Sequence, residues 1–447
     1  MPDNILLVHG YSVRSLDTYG SLPQLLTADG YIAQHIYLSA FDTLDDDITC
    51  NDLALALEIR VSQLEAAGLN IRKTAIIVHS TGAIITRRWM LNRYNANKPL
   101  PSHFISLAGA NHGSTLAQLG NTQIVHLFRG AMGTSVGAEV LEDLDYGSEF
   151  LLQLNEEWLD AYLSNQPPNV FAFSLGGDDH SAMDFQLFWQ THEDGSDSTV
   201  RVSGANLNYK MLTIDQNDAN PALSIKPPLN ANPIFPHLVL HGVSHFGNNG
   251  IVGGNASTMQ IVYPEIKKAL GVTDTASYNA VENNWRSRTA GPGGWNASNP
   301  TQCNSTIVFS LQHPGGRKVE DSLIIIKDGS SDENQAALNV SGAIESRQPI
   351  QNNAMPSSIS FYVNYPKFSG TYPHTVQIKI NSGCDEIVYP PVEYTVQAAD
   401  IGSVQPNEFT YVTVILKRET VDTYEIIPLS QNPDMHKQWP PLPKPNP

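Results

Sequence analysis

Ser80 lies in "AIIVHSTGAIITRRW", residues 75–89, where an apolar, β-branched run stops on His79-Ser80-Thr81-Gly82 and helix formers resume. An unbroken run such as Ala75 to Val78 suits a strand buried on both faces of a parallel sheet. A strand that turns sharply into a helix lifts a serine above the sheet edge, as the pattern G-x-S-x-G does. Val78 occupies the place of the first glycine, while Gly82 and Ala83 keep the helix side small. A serine hydroxyl becomes a useful nucleophile when a histidine takes its proton and a carboxylate fixes the tautomer of that histidine. The chemistry in prospect is acyl transfer through a covalent serine ester.

Candidate bases lie in "HLVLHGVSHFGNNGIV". Leu238 to Leu240 read as a late strand, so His245 on the loop beyond it is the expected base. His241, directly after the strand, is its rival, and His237 falls at the far end. For the acid, Asp197 in "EDGSDSTVRVSGANL" precedes Thr199 to Val202, a stretch read as extended. Asp178 and Asp179 in "SLGGDDH" compete with it, because they directly follow the expected strand Val170 to Leu175. In α/β-hydrolases the chain order is Ser, acid, His. The D-x-x-V-x-V-S pattern beginning at Asp197 resembles the D-G-x-V-x-x-S stretch that carries the acid in bacterial lipases, and this favours Asp197. "LLVHGYS", residues 6–12, resembles the His-Gly stretch that lipases place after their first strand. That resemblance assigns the oxyanion donors to the backbone N–H groups of Tyr11 and Thr81. "LAGANHGS", residues 107–114, is similar to a His-containing Gly-Ser loop of the same enzymes.

The elements that must position these residues alternate. Ile5 to Val8, Ile32 to Leu38, Ala75 to Val78, Phe104 to Leu107 and Val170 to Leu175 read as strands, with helix patterns between them. Leu53, Leu57, Val61 and Leu64 recur at helical spacing, and Gly68 is placed to end that helix. Asp45, Asp46 and Asp47 ahead of it read as a solvated, dipole-favoured helix start and not as a metal site. Residues 115–168 form a long excursion containing Ile124, Val125, Leu127, Phe128, Val140, Leu141, Phe150, Leu151, Leu152 and Trp158. Two accounts fit it, a core-packed helical insertion or a cap over the site that touches lipid.

From Ser287 the character changes. "SRTAGPGGWNASNPTQ", residues 287–302, reads as a linker. Beyond it, Ile307 to Leu311, Leu323 to Ile326, Ile359 to Tyr365, Val376 to Ile380, Phe409 to Leu416 and Tyr424 to Leu429 read as half-buried antiparallel strands of a β-sandwich. The expected division is a mostly parallel α/β-hydrolase domain over residues 1–286, the linker 287–302, a sandwich-like all-β domain over 303–435 as a separable core, and a Pro-rich tail over 436–447.

A formal charge of -18 on 447 residues argues against nucleic acid, since nothing would neutralise phosphates, and against electrostatic adsorption to anionic lipid. Apolar contact with a membrane stays open. Four apolar residues near Met1 do not make a signal peptide, and no run approaches a bilayer span of roughly 20 residues. The expected location is cytoplasmic or peripheral to a membrane. Cys50, Cys303 and Cys384 are too scattered for a disulfide framework or a zinc site. No cofactor and no metal is expected.

With Ser80 inside H-S-T-G, Asp197, His245 and a β-rich second half, the chain resembles the bacterial PlaB-type phospholipases A over nearly its whole length. Their elbow also lacks the first glycine. The resemblance implies cleavage of phospholipid and lysophospholipid acyl esters, contact with membranes without a spanning helix, a bacterial source and homo-oligomers. Two other readings stand beside it. One is a general carboxylesterase or triacylglycerol lipase using the same residues; the other is a catalytically silent hydrolase fold whose β domain binds a partner.

Overall fold

Ile5 and Leu7 send their side chains to one face of a sheet and Leu6 and Val8 to the other, as the two-residue period of a strand requires. Ala75 and Ile77, against Ile76 and Val78, do the same. Both faces are therefore covered, which is why these strands read as unbroken apolar runs. A computed structural model describes residues 1–10, 16–39, 45–118, 137–164, 168–181, 193–216, 223–226, 235–328, 342–344, 350–352, 355–370, 373–380, 387–389, 392–396 and 404–420.

The first sheet is formed by β1 (Asn4–Val8), β2 (Ile36–Ser39), β3 (Thr74–His79), β4 (His103–Leu107), β5 (Phe171–Gly177) and, after β6 (Tyr209–Gln216) and β7 (Leu223–Lys226), β8 (His237–Leu240). Its order is β2-β1-β3-β4-β5-β8, and every pairing is parallel. The chain reverses its direction of travel across the sheet between β1 and β3. In open parallel sheets, ligands bind beyond the carboxyl ends at such a point. Helices α1 (Leu22–Ala28), α2 (Cys50–Ala66) and α3 (Gly82–Asn95) follow the strands in turn. One face carries α2 and α3, and the other carries α1 with the helices Ala256–Leu270 and Thr275–Ala290.

Helix α2 shows how closely the pattern is obeyed. Leu53, Leu57 and Val61 are buried along its inner stripe, and Thr49 and Asp52 form a capping box. At the other end Leu69 N–H reaches Leu64 O and Gly68 N–H reaches Glu65 O, with Gly68 at φ 107. This is the Schellman closure that a glycine allows. Ile32 to Leu38 is shorter as a strand than expected, because Ala33–His35 form a 3-10 turn before β2.

A second sheet takes β9 (Asn304–Gln312), β11 (Ile350–Gln351), β12 (Ser358–Asn364) and β16 (Phe409–Ile415), while β10 (Ser322–Asp328), β13 (His374–Ile380) and β15 (Val392–Val396) belong to a third and β14 (Ile387–Val388) to neither. The order of the second sheet is β11-β12-β9-β16-β6-β7, and the three-stranded sheet β10-β13-β15 is antiparallel. Ile307, Phe309, Phe361 and Val412 from the six-stranded sheet share one core with Ile324, Ile326, Val376 and Ile378 from the three-stranded one. Two sheets face to face make the expected sandwich.

Several details differ from the sequence reading. The six-stranded sheet is mixed, since β16 runs parallel to both β6 and β9. Because β6 and β7 precede residue 287, the boundary expected there does not coincide with a division between sheets. Residues 287–302 are not an extended linker. Ser287 to Ala290 finish the helix Thr275–Ala290, and Trp295–Ser298 form another turn of helix. Gly291 and Gly294 pack directly on the Ser287 and Arg288 carbonyls, where a Cβ would lie 2.4 and 2.8 Å away, so these glycines serve close approach.

Val140, Leu141, Phe150, Leu151 and Trp158 of the 115–168 excursion are buried in the first core, and Leu152 packs against it. For these residues the insertion account holds, because their helices Ala138–Leu144 and Glu149–Leu163 fill the space beside α3. Trp158, with 1% of its surface exposed, has no apolar face left for lipid. Ile124, Val125, Leu127 and Phe128, the strand expected at Tyr424 to Leu429 and the tail 436–447 lie outside the described residues. Among the described residues no helix is long and apolar enough to cross a membrane.

Candidate active site

Ser80 adopts φ 54, a left-handed conformation that is uncommon for a residue bearing a Cβ. It stands between the end of β3 and Thr81, the N-cap of α3. The turn is pinned from three sides: Ser80 N–H donates to Leu107 O, and Ser80 O accepts from Ala83 and Ala110. Small residues on neighbouring segments make room for it. A Cβ on Gly10, just past β1, would lie 2.7 Å from the Ser80 Cβ, and one on Gly82 would lie 2.7 Å from His9 O. One on Gly109 would lie 2.6 Å from the Ala83 Cβ. Val78 is tolerated where a glycine is usual because the close approaches are made by Gly10 and Gly109 instead.

The His245 ring spans the gap between Ser80 and Asp197. Its Nε2 is 3.0 Å from Ser80 Oγ, and its Nδ1 is 2.9 Å from Asp197 Oδ2. All three side chains are buried, at 9%, 3% and 1% exposure for Ser80, His245 and Asp197. The other carboxylate oxygen of Asp197 accepts the Thr199 and Val200 N–H groups at 3.0 and 2.7 Å. The carboxylate is thus satisfied on both oxygens, which fixes its plane toward His245. Thr199 to Val202 do not form the extended stretch expected. They close a tight turn, in which Asp197 N–H donates to Val200 O and Ser198 sits at φ 79.

His79, immediately before the serine, was not singled out in the sequence. Its Nε2–H donates to His245 O at 3.2 Å, and its ring centroid is 4.6 Å from that of His245. Burial, and then the neighbouring charge of His245, holds His79 well below the ordinary imidazole value, so its ring stays neutral. It supports the histidine loop from beneath.

The rival residues are placed elsewhere. Asp178, at the end of β5, accepts from His241 Nδ1 at 2.7 Å, Gly242 N–H at 2.7 Å and Trp295 Nε1 at 2.6 Å. Asp179 accepts from Asn249 at 3.0 Å. His237 lies within β8 against Ser174 Oγ at 2.9 Å. Asp178 and Asp179 brace the two ends of the loop that carries His245, and none of these bonds reaches Ser80. Trp295, from the stretch read as a linker, is one of the braces. His112 of "LAGANHGS" is buried against Phe409, with its Nδ1 3.1 Å from Tyr411 Oη. Of the two oxyanion candidates, Thr81 is buried at the start of α3 with φ -55, while Tyr11 lies outside the described residues.

A network beside Asp197 also escaped the sequence. Arg201 is buried, pairs with both oxygens of Glu193 at 2.7 Å, and lies over the Tyr146 and Tyr362 rings at 4.6 and 4.1 Å. Burial opposes its charge, but Glu193 and the two phenols outweigh that and hold the guanidinium above its ordinary range. Among the described residues no group of three or more His, Cys, Asp or Glu side chains could hold a metal ion.

No protein-family model matches the chain, and no curated protein does. Solved structures do. The phospholipase PlaB from Legionella pneumophila is 26% identical, with 96% of this chain and 96% of that one covered at a TM-score of 0.79. A structure of the same enzyme in complex with thio-NAD gives 26% identity over 95% of this chain and 96% of that one, at 0.78. The mature form of the lipase BlEst2 from Bacillus licheniformis aligns more loosely, at 16% identity, over 61% of this chain and 95% of that one, with a TM-score of 0.42. The chain is similar to a PlaB-type phospholipase through both of its sheet systems, as the motif pattern implied.

Proposed function

We propose that this chain is a serine hydrolase that cleaves acyl esters of phospholipids and lysophospholipids. The observation that carries the reading is the relay from Ser80 Oγ to His245 Nε2 at 3.0 Å and from His245 Nδ1 to Asp197 Oδ2 at 2.9 Å, at the tip of a left-handed turn. The near-full-length likeness to a phospholipase supports carboxylic ester hydrolysis as its reaction class. The phospholipid as substrate is carried over from that relative.

In this reading His245 takes the Ser80 proton as Oγ attacks the ester carbonyl, and Asp197 stabilises the imidazolium that forms. The Thr81 N–H at the positive end of α3, together with that of Tyr11, receives the oxyanion. His245 then protonates the departing alcohol, leaving an acyl group on Ser80. Water attacks this ester with His245 again as base, and the fatty acid leaves. Residues 1–286, apart from β6 and β7, supply the chemistry; β6 and β7 complete the β sandwich begun at residue 304. Membrane contact and assembly into homo-oligomers enter the proposal from the family resemblance alone.

Ser80→Ala tests the reading. Labelling by a fluorophosphonate probe is expected to vanish, and hydrolysis of micellar phospholipid, lysophospholipid and a short-chain ester to fall by about four orders of magnitude. Retained hydrolysis would exclude Ser80. Activity confined to the short-chain ester would favour the general carboxylesterase.

A further inference from the structure

Asp197 is not delivered by a strand of the parallel sheet. It sits in a loop well beyond β5 in the chain, packed beside the end of that strand, where a Cβ on Gly177 would lie 3.4 Å from its own, and the second sheet supplies several of the groups that hold the loop. Tyr362, in β12, donates its hydroxyl to Asp194 O at 2.6 Å and lies 3.1 Å from Gly195 O. Asn304, the first residue of β9, donates to the same Asp194 O at 2.7 Å. Ser203 Oγ and Thr306 Oγ1 are 2.9 Å apart. At Gly195, with φ 74, a Cβ would lie 2.1 Å from Gln302 O, so the loop is pressed against the strand lead-in at backbone distance.

The Arg201 guanidinium closes the other side. It lies between the Tyr362 and Tyr146 rings while its fork holds Glu193, and Ser196 and Arg201 bridge the base of the turn. Glu193 in turn accepts from Thr115 Oγ1 at 3.0 Å. Glu193, Asp194 and Arg201, on either side of the Asp197 turn, are thus held by partners other than Ser80 and His245.

We propose that Tyr362, Asn304 and Arg201 are positioning residues for the acid, so that the second sheet is part of the active site and not an appended module. The proposal rests on the reading of Ser80, His245 and Asp197 as the catalytic residues. Loosening the clamp lets the Asp197 carboxylate retreat from His245, which weakens both the tautomer preference and the stabilisation of the imidazolium. Rate falls.

The experiment compares wild type with Tyr362→Phe, which removes one hydroxyl and keeps the ring under Arg201, and with Asn304→Ser. Active sites are counted with a fluorophosphonate probe, and kcat and KM are measured on a short-chain ester. The expected result is a fall in kcat per labelled site of about tenfold to a hundredfold, with KM changed less than about threefold. Wild-type kcat in both variants would overturn the proposal, as would a loss of labelled sites at full kcat per site, the mark of stability alone. If Tyr362→Phe does not fold, Asn304→Ser decides. Ser80→Ala in the same assay separates the two readings. Activity that survives it defeats the serine mechanism, whereas a dead Ser80→Ala beside fully active clamp variants defeats only the clamp.

Discussion

His245 meets Asp197 twice, through its ring Nδ1 at 2.9 Å and through its backbone N–H, which donates to Asp197 O at 3.1 Å. The backbone bond aligns the two loops, so replacing the carboxylate by an amide leaves the geometry standing and changes the chemistry. Asp197→Asn is therefore expected to lower kcat by about 10⁴ with little change in thermal stability, because the amide favours the wrong histidine tautomer. Asp178→Asn should do the opposite, lowering stability through Trp295, His241 and Gly242 while kcat per active site falls far less. Parallel melts and steady-state rates on both variants check the ranking, and the reverse ranking would move the acid to Asp178.

Gly10 gives a steric test of the elbow. A Cβ there meets the Ser80 Cβ at 2.7 Å, and that contact can be relieved only by moving the nucleophile or the end of β1. Gly10→Ala is expected to cost about 1–3 kcal/mol of stability and about a hundredfold in kcat. Activity equal to wild type would mean that the approach of β1 to the serine is looser than described.

Residues 303–435 were read as a core separable from the first 286 residues, and the six-stranded sheet, which takes strands from both, argues otherwise. Deleting residues 300–447 removes β9 and β16, strips β6 of its parallel partner and exposes Tyr209, Leu212 and Ile214. The fragment 1–299 is expected to aggregate and to hydrolyse no ester, short-chain esters included. Soluble yield and hydrolysis of a p-nitrophenyl ester settle this, and a soluble, active fragment would refute it.

Burial pushes the His237 imidazole down to about 3, against an ordinary value of 6.5. Between those values the unfolded chain binds a proton that the folded chain refuses. The stability contribution is therefore complete above pH 6.5 and is lost as pH falls toward 3. One such group gives a slope of about 1.4 kcal/mol per pH unit. His237→Asn, which keeps a partner for Ser174 Oγ, is expected to reduce the slope of unfolding free energy by that amount between about pH 4 and 6. Denaturant titrations across that range measure it, and an unchanged slope would show that His237 is protonated in the folded chain.

What could be read from the sequence was what local pattern determines. The parallel strands announced themselves because burial on both faces leaves no polar residue in Ile5 to Val8 or Ala75 to Val78. Ser80 and His245 could be singled out because an elbow and a loop after a strand have local signatures, and Asp197 because its D-x-x-V-x-V-S stretch resembles that of bacterial lipases, although the turn it forms was read as extended. Pairing across distance has none. "YKMLTIDQ", residues 209–216, gives no sign that it joins β16, and Tyr362 looks like any alternating strand residue until its hydroxyl is seen on Asp194 O. Trp295 was misplaced for the reverse reason. The glycines around it suggested slack, whereas they allow backbones to touch.

The central place of β16 also bears on how the molecule is made. Its pairing with β6 ends with Lys417 N–H on the Gln216 side chain, 201 positions apart. Contacts this remote in the chain form late, because a long loop must close before they can hold. During synthesis, at roughly 5–20 residues per second, β6 waits on the order of ten seconds or more for its neighbour to be translated. Over that interval Leu212 and Ile214 lack the later strands that bury them. Ester hydrolysis by the nascent chain is therefore expected to appear only after β16 has left the ribosome.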